Sequence, residues 1–126
     1  MEIGCGFCVD HDFWKQWRVL VRSINPEAYM TAEIVDTPEK IKPYLQGDEF
    51  GAEMNYNFAF NCAEYFFNPD STRISSSQFD EKLNELRTLY PKGVAYVSQN
   101  LFGSHDFNRI ESIFLLHKIT NHRLNF

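Results

Sequence analysis

The chain has 126 residues, 44% of them hydrophobic and 23% charged, and a formal net charge of −5. Such a composition describes one soluble globular domain over residues 1–126 with a core of its own, and its acidic balance excludes nucleic acid and anionic membrane, which recruit clusters of Lys and Arg. Asp10, Asp12, Lys15 and Arg18 interrupt residues 1–20 where a secretory leader needs an apolar stretch, and the three cysteines, Cys5, Cys8 and Cys62, fit a reducing, cytoplasmic setting better than a disulfide framework.

From Asp10 to Ile24 the apolar residues Phe13, Trp14, Trp17, Leu20, Val21 and Ile24 recur at helical spacing. Asp10 or Asp12 can cap this helix, and Pro26 marks its stop. Ala28 to Val35 is a short, nearly continuous apolar run, as in a parallel strand buried on both faces. One residue breaks it near its end, Glu33. Thr37-Pro38 then pairs a cap with proline at the first helical position, so a short helix is expected over 38–45. Ala52 to Tyr56 suits a short strand and Phe58 to Phe67 a helix, with Asn68-Pro69-Asp70-Ser71 as a turn. Ser75 to Ser77 lead into an amphipathic helix with Phe79, Leu83, Leu86 and Tyr90 on one face, stopped by Pro91 and Gly93. Val94 to Phe102 reads as a third strand, running into Gly103-Ser104-His105-Asp106. A last helix is expected over 108–118, with Ile110, Ile113, Phe114 and His117 on one stripe. Helices alternating with strands in this way mean a parallel α/β fold.

The motifs carry the reading further. Val9-Asp10-His11-Asp12-Phe13-Trp14-Lys15, Ala32-Glu33-Ile34-Val35, Leu45-Gln46-Gly47-Asp48-Glu49-Phe50, Met54-Asn55-Tyr56 and Gly103-Ser104-His105-Asp106 with Asn108-Arg109-Ile110 stand in the order and at about the spacing of one enzyme family. In these segments the chain resembles the α-amylase family, glycoside hydrolase family 13, and most of all its neopullulanase and cyclomaltodextrinase branch. The resemblance implies a (β/α)₈ TIM barrel with its active site at the carboxyl ends of the strands. About three of the eight strands, with their helices, are legible here. It also implies roles. Glu33 matches the general acid/base, Asp106 the carboxylate that stabilises the oxocarbenium-like transition state, and His105 the histidine that hydrogen-bonds the sugar. The implied ligand is an α-glucan oligosaccharide; no metal or cofactor is implied. Asn55 and Tyr56 take less weight, as residues at the end of a strand that would line the site.

The family's nucleophile lies in an Arg-x-Asp pattern that would fall at Glu2 and Gly4, and neither residue type is present there. Residues 1–8 depart from the family altogether. Further departures are Ala32 for a usual glycine, Val35 for a usual tryptophan that would stack on the acceptor sugar, and Gly51 for an aspartate. These features imply a fragment of a retaining α-glucan hydrolase that is inactive alone. The rival reading is a non-catalytic module that binds a glucan or is complemented by a chain supplying the other barrel strands. Cys5-Gly6-Phe7-Cys8 has the form of a thiol or zinc pair, but no strand precedes it as a redox motif requires, and the gap to His117 far exceeds zinc-finger spacing. An open arc of parallel strands exposes unpaired edges, so the isolated chain is expected to be marginally folded or to aggregate. A cooperative thermal transition in a purified monomer would overturn that expectation.

Overall fold

The computed structural model describes residues 10–68, 71–104 and 106. The predicted helix over 108–118, His105 and the Cys5/Cys8 pair lie outside them. Helix α1 spans His11–Ile24. Asp10 caps it through its main-chain carbonyl, which accepts from Phe13 N and Trp14 N, while its carboxyl makes no cap bond. Strand β1 is Thr31–Ala32. Helix α2, Pro38–Ile41, passes into a 3₁₀ turn over Lys42–Leu45. Pro43 explains the change of pitch, because it has no N–H to continue an α-helical ladder. Strand β2, Ala52–Asn55, leads directly into helix α3, Tyr56–Phe66. Helix α4, Ser76–Leu89, opens with a full capping box: the Ser75 side chain accepts from Gln78 N while the Gln78 side chain accepts from Ser75 N. Helix α5, Lys92–Val97, precedes strand β3, Gln99–Asn100.

The three strands form a parallel sheet in the order β1-β2-β3. Thr31 and Ala32 pair with Ala52 and Glu53, and Met54 and Asn55 pair with Gln99 and Asn100. All four residues of β2 are buried, as befits the middle strand. The core lies between this sheet and the helices: Trp14, Ala32, Ile34, Ile41, Leu45, Phe50, Tyr90 and Val94 pack as one cluster, with Trp17, Met30 and Leu89 at its margin. Apolar side chains also face outward at the two flanks, Leu20 and Ile24 on α1 and Tyr96 on α5. No helix among the described residues is long and apolar enough to cross a membrane.

Two expectations from the sequence need correction. The strand predicted over Val94–Phe102 is mostly helix: α5 takes Lys92–Val97 and only Gln99–Asn100 is laddered. Pro91 supplies the carbonyl that Ala95 N reaches, and Val94 gains a place in the same core cluster as Tyr90. Packing here outweighs the strand preference of the β-branched valines. The strand over Ala28–Val35 is laddered only at Thr31–Ala32, because among the described strands β1 has a neighbour on one side alone.

The register has a further consequence. Paired residues of neighbouring strands share a face, so Glu53 lies on the core side with Ala32. It is 1% exposed, and neither carboxyl oxygen meets hydrogen-bond geometry with a described residue. The Tyr90 hydroxyl is close enough to interact with it electrostatically. Burial pushes the Glu53 carboxyl up from 4.5 to about 7, against a smaller opposing effect of Tyr90. Its folded state therefore holds its proton more tightly than its unfolded state does. The associated stability is complete below pH 4.5 and is lost as pH rises through about 7. The loss amounts to about 3 kcal/mol. The urea midpoint followed by tryptophan fluorescence should accordingly fall between pH 5 and pH 8 in the wild type and stay nearly level in Glu53→Gln. An equal fall in both proteins would exclude Glu53 as its source.

Candidate active site

The carboxyl ends of the three strands hold the acidic residues singled out by the sequence. Glu33 follows β1. It lies between Ala32 and Ile34, both buried in the core, so strand alternation turns its own side chain toward the opposite face, where it is half-buried. Asp36, a few residues on, gives its carbonyl to Asn57 Nδ2 at 3.0 Å. This bond ties the segment after Glu33 to helix α3.

Tyr56 stands at the junction of β2 and α3 and is 3% exposed. Its hydroxyl donates to Glu33 Oε1 at 2.8 Å and lies 3.5 Å from Ser104 Oγ. Ser104, beyond β3, accepts from Asp106 N at 3.1 Å. Burial, more than any other effect, raises the Tyr56 hydroxyl above its ordinary range; its bond to Glu33 and the charges of Glu33 and Asp106 push the same way, while Ser104 opposes them. Asp106 itself is exposed in a turn. Glu33 and Asp106, far apart in sequence, thus both act on one phenolic oxygen.

Asn55 holds the frame beneath. Its side-chain carbonyl accepts from Phe58 N at 3.0 Å, capping α3, and its amide donates to Asn100 Oδ1 at 3.0 Å, joining the ends of β2 and β3. Ser98 likewise braces the layer before it, accepting from Glu53 N at 3.2 Å and donating to the Val94 carbonyl at 2.9 Å. Of the predicted site residues, Glu33 and Asp106 both lie within electrostatic reach of the Tyr56 hydroxyl, and His105 lies outside the described residues. Tyr56, expected from the sequence only to line the site, is more central than that, and Ser104, which lies in the Gly103-Ser104-His105-Asp106 motif, has no role assigned to it there. No group of three or more His, Cys, Asp or Glu able to hold a metal ion occurs among the described residues.

An arc of parallel strands connected through helices, with acidic residues gathered at the strands' carboxyl ends, belongs to a (β/α)₈ barrel. Residues 7–125 match the family described as alpha amylase, catalytic domain, and the chain belongs to that family. It is 35% identical over 105 residues to a cyclomaltodextrinase of Geobacillus thermopakistaniensis (strain MAS1), covering 83% of this chain and 17% of that protein. To neopullulanase 2 of Thermoactinomyces vulgaris it is 38% identical over 101 residues, covering 80% and 16% respectively. Among solved structures, the ligand-free cyclic alpha-maltosyl-(1→6)-maltose hydrolase of Arthrobacter globiformis superposes with a TM-score of 0.79 at 28% identity, over 90% of this chain and 24% of the other. The chain therefore spans about a sixth of the length of these curated relatives.

One family departure can be read in the geometry. Gly51 has room for a side chain: an added Cβ would stand 3.9 Å from the Met30 carbonyl and 4.0 Å from an Arg18 guanidinium nitrogen. Arg18 instead donates to the Glu49 carbonyl at 3.1 Å. Gly51→Asp should place a carboxylate against Arg18 and restrict the unfolded backbone. The expected gain is about 1 kcal/mol, read as a higher urea midpoint, and smaller in 1 M salt. A lowered midpoint would show that the site does not admit the side chain.

Proposed function

We propose that this chain carries the acid/base portion of the active site of a retaining α-glucan hydrolase acting on α-1,4 or α-1,6 links in starch-derived oligosaccharides or cyclodextrins. The observation that supports this reading best is the link Glu33–Tyr56–Ser104–Asp106 across three strand ends, in a chain whose relatives are named cyclomaltodextrinase and neopullulanase. In this proposal Glu33 protonates the oxygen of the bond being cut and later takes a proton from the incoming water. Asp106 stabilises positive charge on the ring, and His105 holds the sugar. Double displacement needs a further carboxylate as nucleophile, about 5 Å from the acid. The position expected to supply it is Gly4, so the chain alone should not turn over substrate. It works in the cytoplasm as one domain, with residues 1–6 outside the family match, and needs no cofactor.

A second reading, a non-catalytic module that binds glucan or is completed by another chain, is favoured by the outward-facing Leu20, Ile24 and Tyr96 on the flanks of the described sheet. Two measurements separate the readings. In a chimera in which residues 9–106 replace the matching segment of the Thermoactinomyces neopullulanase, Glu33→Gln should lower turnover of maltooligosaccharides by about a hundredfold to ten-thousandfold. Unchanged turnover would remove Glu33 from its role. The chain by itself should hydrolyse nothing. Heat released on titrating it with maltoheptaose, without hydrolysis, would favour the binding module.

A further inference from the structure

We propose that Tyr56 is the positioning residue of the acid/base carboxyl: it occupies Glu33 Oε1 and so assigns Oε2 as the oxygen that gives and takes the proton. The proposal rests on the reading of Glu33 given above and adds to it a division of labour within one carboxyl group. The Tyr56 side chain is suited to the task. Its backbone is fixed where a fully buried strand turns into a helix capped by Asn55, its ring is 3% exposed, and its hydroxyl is 2.8 Å from Oε1. A phenol has a single hydrogen. Given to Oε1, it cannot also go to Ser104 Oγ, at the longer distance of 3.5 Å, so the serine hydroxyl is left to donate back to the phenolic oxygen.

Among the described residues no hydrogen bond engages Glu33 Oε2. In the first half of the reaction the Oε2–H bond breaks as its proton passes to the glycosidic oxygen, and the electron pair stays on the carboxylate. The hydrogen bond from Tyr56 strengthens at that moment, since a donor favours the charged form of its acceptor. In the second half Oε2 takes a proton from water. Ser104 carries the same link to the turn holding Asp106, whose main-chain N–H it accepts.

The test needs no catalysis, which keeps it separate from the assignment of Glu33 as acid/base. The wild-type chain is labelled with ¹³C at tyrosine Cζ and glutamate Cδ and titrated by NMR. The Tyr56 Cζ resonance should shift in step with protonation of the Glu33 carboxyl. In Tyr56→Phe, Glu33 should bind its proton about threefold to tenfold more tightly, because a donor to its charged form is gone. Ser104→Ala should produce a smaller change of the same sign. A Tyr56 resonance indifferent to the Glu33 titration overturns the proposal from the wild type alone, even if the phenylalanine variant fails to fold. An unchanged Glu33 titration in a folded Tyr56→Phe overturns it as well. Loss of the hydrolase activity of the chimera in Glu33→Gln, with no coupling to Tyr56, would keep the acid/base role and discard the positioning one.

Discussion

Everything at the candidate site depends on the parallel pairing of β2 with both of its neighbours. Parallel strands in fixed register end on the same side of a sheet, and here that brings Glu33, Tyr56 and Ser104 to one edge although residues 33 and 104 are far apart in the chain. Hydrogen bonds from Asn55 to Asn100 and from Asn57 to Asp36 then hold the three ends level. Shifting a strand by one residue would turn its side chains to the other face, sending Glu33 into the core beside Trp14 and drawing Ala32 out of it. The site's chemistry is therefore a consequence of register before it is a consequence of side-chain type.

Much of this is legible in the sequence, for identifiable reasons. The amphipathic spacing from Phe13 to Ile24 and the serines before Phe79 announce α1 and α4, because helix faces and caps are local features. Glu33 stands out because a carboxylate ending an apolar run is rare. The helix over Lys92–Val97 is not legible: valines favour strands in isolation, and only the burial of Val94 in the core decides otherwise. Glu53 escapes notice for a related reason. In sequence, Ala-Glu-Met-Asn could alternate between core and solvent, whereas β2 is buried at every position. Tyr56 and Ser104 stand in motifs of the family pattern, but the approach of their hydroxyls is visible only in the fold.

The departures from the family pattern fall unevenly. Ala32 and Gly51 lie at the edges of strands and are accommodated there: Ala32 is packed in the core, and Gly51 leaves its space open, with the neighbouring arginine bonded to a main-chain carbonyl. Val35 is different. It is 51% exposed, two residues beyond Glu33, so an aliphatic side chain stands on the surface where the family pattern has an aromatic ring. A branched side chain offers no flat face for stacking. The first two changes bear on packing and the third on the surface beside Glu33.

The buried carboxyl of the middle strand has a consequence for the molecule as a population. Because burial raises its proton affinity toward neutrality, folded chains near pH 7 include molecules with this carboxyl protonated beside molecules with a charge sealed in the interior. The formal net charge of −5 counts that group as always ionised, so the average folded molecule is less negative than its sequence implies. Any property measured near neutrality is then a weighted mean over two species, and a small change in acidity alters the weights.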